Sequence, residues 1–365
     1  SFILLSNVLE IDINSFNYVN NNLENDLNDL YEALVFMYDS QANNLYNKII
    51  THIDYINLSD LYQKWSVYQF AYKIHFNLEN EQDYIDKLSN INNYNISYLG
   101  LIYDYLAIYC LKNNKYNEAK QHIEQSLKYF HNDLVWGMLN YHAGMIYIKL
   151  GKFSSAFNHC KEAERIFLKE HNQFRLSSVQ LNLAIIYAWR KDFESSKKIY
   201  DRIYKDAILR EHLNSKIVSL YNLAWISYLE KKYALTLQYL NEITNEVELN
   251  LNGLYIFIQT YIEMNELDLA KNSFKSVPKE IDNDIFKLKF RIQDIIINSY
   301  NKFEYFQCLN DYYTLCKKTS DFENILSSIN LLIDYYKKES KYKKATVFLE
   351  EKIELIRSIE TTPDF

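Results

Sequence analysis

The chain has 365 residues, of which 48% are hydrophobic, and it contains only five glycines and two prolines. Strand-rich folds need turn residues at short intervals, so this shortage argues against them and predicts long helices joined by brief polar loops. The net charge is −7, with acidic and basic residues interspersed, which disfavours direct binding of nucleic acid by these residues. We therefore predict an all-α protein.

The sequence contains none of the common catalytic or metal-binding motifs. It has no Gly-rich phosphate loop, no HExxH and no GxSxG, and its eight histidines are scattered. Its four cysteines lack CxxC spacing, which fits a reduced cytoplasmic protein. The sequence has no uninterrupted run of about 18 apolar residues, so it predicts no membrane-spanning helix. We expect a cytoplasmic protein that is not an enzyme, holds no metal or cofactor and has no membrane partner.

Residues 1–16, SFILLSNVLEIDINSF, are predicted to form a short helix followed by an extended turn. Their pattern resembles the last helix and exit of a Cro/C1-type helix-turn-helix domain, and the resemblance implies that a DNA-recognition helix precedes them in the native chain. The sequence begins at Ser1 without Met, within an apolar pattern, so we expect that most of such a domain is missing. The alternative is an ordinary N-terminal capping helix.

Residues 17–95 are predicted to form divergent helix pairs. Apolar residues recur at helical spacing in four segments: LNDLYEALVFMY, LYNKIITHI, LYQKWSVYQFAYKIHF and DYIDKLSNI. These segments do not fit the repeat that follows them. Asparagine clusters at 90–95, 113–114 and 241–245 predict loops between helices.

A repeat of 34 to 40 residues fills positions 96–360. Its copies include GMIYIKLGKFSSA (144–156), AIIYAWRKDFESS (184–196) and AWISYLEKKYALT (224–236), each with a small first residue, an aromatic residue nine positions later and a second small residue after twelve. Small residues let two antiparallel helices approach closely, and the aromatic residue fills the turn between them. The second small position recurs seven times, at 119, 156, 196, 236, 270, 306 and 345.

Three residues after the first small residue comes Tyr147, Tyr187 or Ser227. These positions resemble the consensus of the tetratricopeptide repeat (TPR), which has Gly or Ala, Tyr, an aromatic residue and Ala at the corresponding places. The longer, irregular spacing resembles that of the RRNPP family, the Gram-positive peptide receptors that include Rap, NprR, PlcR and PrgX. The resemblance implies a right-handed superhelical solenoid of TPR-like helix pairs that binds a short secreted signalling peptide in its concave groove. Residues 361–365 are expected to form a frayed tail.

In a TPR array the first helix of each pair lines the concave face, and the residue two positions before the first small residue points into the groove. Those residues here are Tyr105, His142, Asn182 and Asn222. The motifs LNLA, which contains Asn182, and YNLA, which contains Asn222, match positions that contact the peptide backbone in RRNPP receptors, whereas His142 and Tyr105 depart from them. An asparagine amide offers both a donor and an acceptor, so it can hold the main chain of an extended peptide.

Neighbouring positions on the first helices are mostly apolar or aromatic, which suits a short hydrophobic peptide. The full predicted peptide-binding set is Asn182, Asn222, His142, Tyr141, Tyr221, Trp225, Trp189, Tyr255, Gln259 and Asp104, with Met145, Lys149 and Ile185 beside it. Two alternatives stay open: the aromatic residues pack between repeats, and the two asparagines have a local role in helix stacking.

The leading functional interpretation, which the resemblance implies, is the sensor of a peptide-responsive transcription regulator. Such a protein would contact DNA only through its N-terminal domain and would form a homodimer through its C-terminal repeats. Three tyrosines stand in those repeats: Tyr335, Tyr336 and Tyr342. One alternative is a Rap-like response-regulator phosphatase or inhibitor, and another is a general TPR adaptor for protein partners. The glutamines to consider for a phosphatase are Gln41, Gln63 and Gln69.

Overall fold

The computed structural model describes residues 13–78, 80–129, 132–298 and 301–360. Across these ranges the chain forms nineteen α-helices and one short 3-10 helix, with no β-strand. The all-α prediction is therefore confirmed. Most connections between helices are only a few residues long, as the low content of glycine and proline predicted.

Five helices precede the repeats, and they coincide with the apolar segments of the sequence. In the first of them, Leu23, Leu27, Leu30 and Leu34 are buried along one face, at the spacing of an amphipathic helix. The helices are α1 (Ile13–Phe36), α2 (Asp39–Ile50), α3 (Ile53–Asn57), α4 (Tyr62–His75) and α5 (Glu81–Asn90), and the 3-10 helix Ile91–Asn93 follows them.

The N-terminal and C-terminal predictions fall mostly outside the described residues. Of residues 1–16, only 13–16 are described, and they form the beginning of α1. The extended turn that was predicted to follow a short helix is therefore wrong for these four residues. Residues 361–365, the predicted tail, lie outside the described part of the chain.

The repeats fold as seven successive helix pairs. They are α6 (Ile96–Lys112) with α7 (Tyr116–Ser126), α8 (Asp133–Lys149) with α9 (Phe153–Lys169), α10 (Gln173–Trp189) with α11 (Phe193–Leu209), α12 (Leu213–Leu229) with α13 (Tyr233–Thr244), α14 (Leu251–Glu263) with α15 (Leu267–Phe274), α16 (Asp284–Asn298) with α17 (Lys302–Thr319), and α18 (Phe322–Lys338) with α19 (Tyr342–Glu360). In six pairs the aromatic position of the repeat, or the Leu that replaces it, is the first residue of the second helix.

One predicted loop is wrong in part. The asparagine cluster at 241–245 lies largely inside α13, which continues to Thr244. The helix continues because Leu240 and Ile243 are fully buried and extend its apolar face beyond Asn241. Burial of these two side chains outweighs the weak helix propensity of asparagine.

The described residues form two compact units. Unit one contains the residues up to 143 together with 161–179, and unit two contains residues 144–160 together with those from 180 onwards. The candidate site residues are divided between the two units.

The small positions of the repeat allow close contact between the two helices of a pair. A Cβ atom at Gly144 would lie only 2.5 Å from Cys160 Sγ. Ala184 and Ala224 are fully buried, and Ser196 Oγ donates a hydrogen bond of 2.7 Å to the carbonyl of Ala184. The repeat's small residues therefore have the packing role that the sequence predicted.

The turns within the helix pairs share one backbone hydrogen bond. In six pairs the turn contains a residue with positive φ, and the next backbone N–H donates to a carbonyl five residues earlier, which is the Schellman arrangement of a helix C-terminus. Lys231, for example, has a φ of 60°, and Lys232 N donates to Ser227 O at 2.8 Å. Only one of the six positive-φ residues is a glycine, Gly151. The six residues are Asn114, Gly151, Lys191, Lys231, Asn265 and Ser340.

Candidate functional site

All ten predicted peptide-binding residues lie on the first helices of their pairs. Three belong to unit one and seven to unit two. The unit-one residues are Asp104, Tyr141 and His142, and the unit-two residues are Asn182, Trp189, Tyr221, Asn222, Trp225, Tyr255 and Gln259.

In unit one, Asp104 and His142 bind each other. His142 Nδ1 lies 2.9 Å from Asp104 Oδ1 and 3.0 Å from Asp104 Oδ2. His142 is only 6% exposed and Asp104 is fully buried. The rings of His142 and Tyr105 are inclined at 69° to each other, with their centroids 6.0 Å apart. From the sequence, Asp104 and His142 were predicted as separate residues lining the groove. In the structure they form a buried hydrogen-bonded pair that joins α6 to α8.

Tyr141 contacts a cation that the sequence did not single out. The guanidinium of Arg175 lies 5.7 Å from the centre of the Tyr141 ring. Arg175 also donates hydrogen bonds to Val35 O at 2.7 Å and to Leu34 O at 2.9 Å. Asn172 Nδ2 donates to the same Val35 carbonyl at 3.2 Å. Arg175 and Asn172 therefore satisfy the carbonyl groups that end α1, which need partners outside their own helix.

In unit two, Trp189 lies within an aromatic cluster. Its ring contacts Phe153, Trp225 and Phe322, with centroids between 5.2 and 5.8 Å apart. Gly151 has a φ of 70°, a conformation that glycine adopts without steric strain. A Cβ atom there would also overlap the Phe322 ring, so both the backbone and the packing favour glycine at this position. Trp189 and Trp225 remain partly exposed, so they combine packing between repeats with a surface that a ligand can contact.

Tyr221 covers the beginning of α14. Its hydroxyl accepts a hydrogen bond of 2.9 Å from Asn250 N, and its ring contacts the backbone of Gly253 so closely that a Cβ atom there would overlap it. Burial raises the pKa of Tyr221 above its usual value. Tyr221 thus packs against the next repeat, which is the alternative role left open for the aromatic residues.

The two equivalent asparagines, Asn182 and Asn222, differ in their hydrogen bonds. Asn222 Nδ2 donates to Val218 O at 2.8 Å, one turn earlier in its own helix. Asn182 Nδ2 is buried and has no hydrogen-bond partner among the described residues, although the residue as a whole is partly exposed. An unpaired buried amide costs about 1–3 kcal/mol. Of these two asparagines, only Asn182 therefore has an amide nitrogen without a hydrogen-bond acceptor among the described residues.

Gln259 is held by Gln293, a residue that the sequence did not single out. Gln293 is fully buried, and its Nε2 donates to Gln259 Oε1 and to Tyr255 O, both at 3.1 Å. Gln259 Nε2 donates in turn to Glu263 Oε1 at 3.1 Å. Both ends of the Gln259 amide are thus engaged within the protein.

Lys289, one turn before Gln293 on α16, was also missed. Its Nζ lies 4.7 Å from the centre of the Tyr255 ring and 5.2 Å from that of Phe286. Burial lowers the pKa of Lys289, and the carboxylates of Glu323 and Asp321 offset this only in part. The repeat pattern is weak in α16, which is why Lys289 and Gln293 did not stand out in the sequence.

The remaining residues named from the sequence have ordinary surroundings. Gln63 donates to Asn93 O at 3.1 Å and accepts from Asn95 N at 2.8 Å, so its amide holds the loop after α5. Gln69 Nε2 donates to Tyr46 OH at 3.4 Å, and Gln41 is exposed on α2. Of the three tyrosines named for a dimer contact, two are buried and one, Tyr342, is exposed: the buried residues are Tyr335 and Tyr336.

Unit one also contains a cavity of about 480 Å³ between α3, α4 and α5. Lys87 lines it and donates hydrogen bonds to the Ser66 carbonyl at 2.8 Å, to Ser66 Oγ and to Tyr94 OH. Burial lowers the pKa of Lys87 to about 8.

Over the described ranges no group of three or more His, Cys, Asp or Glu side chains is placed to hold a metal ion. None of the described helices combines the length and the apolar character needed to cross a bilayer.

No protein-family profile matches the sequence, and no curated protein matches it. Solved structures do match. A Rap protein complexed with competence and sporulation factor aligns with a TM-score of 0.81, covering 93% of this chain and 99% of the other, at 14% identity. NprR in complex with its cognate peptide NprX aligns with a TM-score of 0.67, covering 92% and 98%, at 15% identity. The apo form of the quorum sensor NprR from B. thuringiensis aligns at 0.66, covering 93% and 99%, at 17% identity. The chain therefore has the TPR-like helical-repeat fold of the Rap and NprR structures.

Proposed function

We propose that the chain is a receptor for a short, extended signalling peptide, which binds to the first helices of unit two. The observation that carries the proposal is the buried amide nitrogen of Asn182, which has no hydrogen-bond partner among the described residues. A peptide carbonyl is the natural acceptor for such a donor, because an extended main chain offers a carbonyl at every residue. The shared fold supports the proposal, since a structure of this fold, NprR, is solved in complex with its cognate peptide NprX.

The surroundings of Asn182 suit an apolar peptide. Trp189 and Trp225 are partly exposed on the same series of first helices and offer aromatic surface. Asn222, one repeat further along, keeps its amide oxygen available, because its bond to Val218 O uses only the nitrogen. Asn182 would therefore donate to the peptide main chain and Asn222 would accept from it.

The regulatory role that we propose is control of DNA binding through a helix-turn-helix domain. The apolar pattern of residues 1–16 supports this role, because it resembles the exit of such a domain. In this mechanism the peptide binds one conformation of the array more tightly than another and so shifts the population between them. A dimer would then place two such domains on successive half-sites.

The test is affinity selection with a synthetic library of short linear peptides, followed by calorimetry with the tightest binder. Asn182→Ala is expected to weaken binding by about 1–3 kcal/mol, roughly five- to 150-fold, because the peptide carbonyl loses its amide donor. Asn310→Ala is the matched control: Asn310 makes the same one-turn bond to its own helix as Asn222, but it lies on the second helix of its pair. The proposal is wrong if no library peptide binds, or if Asn182→Ala and Asn310→Ala bind equally well.

A further inference from the structure

Lys289 has no counter-ion among the residues that the structure describes. No described carboxylate forms an ion pair with its Nζ, and its close contacts are the rings of Tyr255 and Phe286. Lys149, another lysine of unit two, does have a partner, since its Nζ lies 3.6 Å from Asp321 Oδ2. A partly buried ammonium without an anion loses hydration and gains only the attraction of aromatic rings in return.

The two carboxylates that raise the pKa of Lys289, Asp321 and Glu323, form no ion pair with it among the described residues. Asp321 pairs with Lys149, and its side chain also accepts from Asn324 N at 3.1 Å at the beginning of α18. Glu323 is exposed in the first turn of α18 and forms no ion pair with Lys289 among the described residues. Both carboxylates raise the pKa of Lys289 through space, but burial still lowers it overall. The ammonium of Lys289 is therefore left without a paired anion among the described residues, and a bound ligand could supply one.

Lys289 lies on the face of α16 that meets the candidate groove residues. Lys289 and Gln293 are four residues apart, so they project from the same side of the helix. Gln293 contacts Tyr255 and Gln259, and Lys289 contacts the Tyr255 ring. Because Tyr255 and Gln259 are predicted groove residues, the ammonium of Lys289 lies at the same surface.

We propose that Lys289 binds the terminal carboxylate of the peptide. Every linear peptide with a free C-terminus carries that group, and an ammonium at an aromatic, poorly hydrated position binds it with a charge-assisted hydrogen bond. This inference rests on the proposed function and adds a direction to it. The peptide C-terminus faces α16, and the preceding main chain runs towards Asn182 on α10.

The direction follows from the order of the helices along the array. Asn182 belongs to α10 and Lys289 to α16, with α12 and α14 between them in sequence. Both residues belong to unit two. A peptide whose carbonyl accepts from Asn182 and whose carboxylate binds Lys289 has its N-terminal part at the earlier repeats and its C-terminus at the later ones.

The experiment is a cycle of two peptides and two proteins. The tightest peptide from the library is synthesised with a free carboxylate and as the C-terminal amide, and each form is titrated into the parent protein and into Lys289→Met. The amide should bind the parent roughly ten- to 100-fold more weakly than the acid, because the charge-assisted bond is lost. Lys289→Met should bind both forms with equal, weak affinity. Lys287→Met is the matched control, since Lys287 is exposed two residues away and pairs with Asp284, so it should discriminate like the parent.

A second measurement does not depend on the variant. Lysine side chains of the parent are labelled by reductive methylation with ¹³C, and the Lys289 signal is titrated with pH in the presence of each peptide. The acid form should raise the pKa of Lys289, whereas the amide should leave it where it is in the free protein.

The outcomes separate the two proposals. If no library peptide binds, the proposed function and this inference both fail. If a peptide binds but the parent does not distinguish acid from amide, the Lys289 assignment fails and the receptor proposal stands. If Lys289→Met still discriminates between the two forms, the carboxylate binds elsewhere and the direction is wrong. Loss of discrimination in Lys289→Met alone supports the inference.

Discussion

His142 Nδ1 lies 2.9 Å from Asp104 Oδ1, and this buried contact joins two successive first helices. Removing one partner of a buried pair typically costs about 3–5 kcal/mol, because the other is left without its hydrogen bond. Asp104→Ala should therefore lower the free energy of unfolding by about 3 kcal/mol in urea denaturation. Asp133→Ala is the control, since it removes an exposed ion pair with Lys169 and should change the free energy of unfolding far less. Equal losses in the two variants would contradict the structural role of the pair.

Gly151→Ala is expected to destabilise unit two. A non-glycine residue at positive φ costs about 1–2 kcal/mol, and the added Cβ would overlap the Phe322 ring. The combined loss in free energy of unfolding should be about 2 kcal/mol or more. In a Phe322→Leu background, the same change should cost at least about 1 kcal/mol less, because a smaller side chain relieves the overlap. Strictly additive effects would show that the two residues are not in contact.

Lys231→Gly is expected to stabilise the protein. Lys231 is exposed and has a φ of 60°, a conformation that glycine adopts without the steric cost of a side chain. The free energy of unfolding should rise by about 0.5–1 kcal/mol. Lys205→Gly, at an exposed position within α11, should instead lower it by about 1 kcal/mol, since glycine weakens a helix interior. If both variants lose stability, Lys231 does not have a left-handed backbone conformation.

Lys87 should make stability depend on pH in the alkaline range. Its pKa is about 8 in the folded protein and about 10.5 when it is exposed, so between these values the unfolded chain binds more protons. Stability therefore rises with pH in this window: the cost of burying the charged amine is full below pH 8 and disappears towards pH 10.5. Relative to Lys87→Met, the parent should gain up to about 3 kcal/mol across the window, measured by urea denaturation.

The control for this titration is Ser89→Ala, an exposed change on the same helix that adds or removes no titrating group. Its stability curve should run parallel to that of the parent at every pH. A constant difference between parent and Lys87→Met would show that the amine of Lys87 is not desolvated in the folded state.

The repeat could be predicted from sequence because its signals are local. The small residue Gly144 and the aromatic Phe153 mark the close approach and the turn of one helix pair, and both lie within a single copy of the motif. The same holds for Ala184 with Phe193. The Schellman turns were not predicted, because their usual signal is a glycine and five of the six turns use another residue, such as Lys231.

The pairing of the site residues could not be predicted in the same way. Asp104 and His142 are 38 residues apart, and the sequence pattern places both on the groove side without showing that they bind each other. Lys289 and Gln293 lie in α16, where the small and aromatic signals are weak. The different hydrogen bonds of Asn182 and Asn222 depend on side-chain rotamers, which two nearly identical motifs cannot distinguish.

The contact of Arg175 with the end of α1 sets an order of events during synthesis. Each helix pair of the repeats closes through contacts between neighbours in sequence, so a pair forms as soon as it leaves the ribosome. Val35 O, in contrast, receives its hydrogen bond from a side chain 140 residues later. At about 5–20 residues per second, roughly 7–28 seconds pass between the synthesis of Val35 and that of Arg175, during which the Val35 carbonyl lacks this partner. The hydrogen bonds from Arg175 to the end of α1 therefore form only after the first two helix pairs of the array have been made.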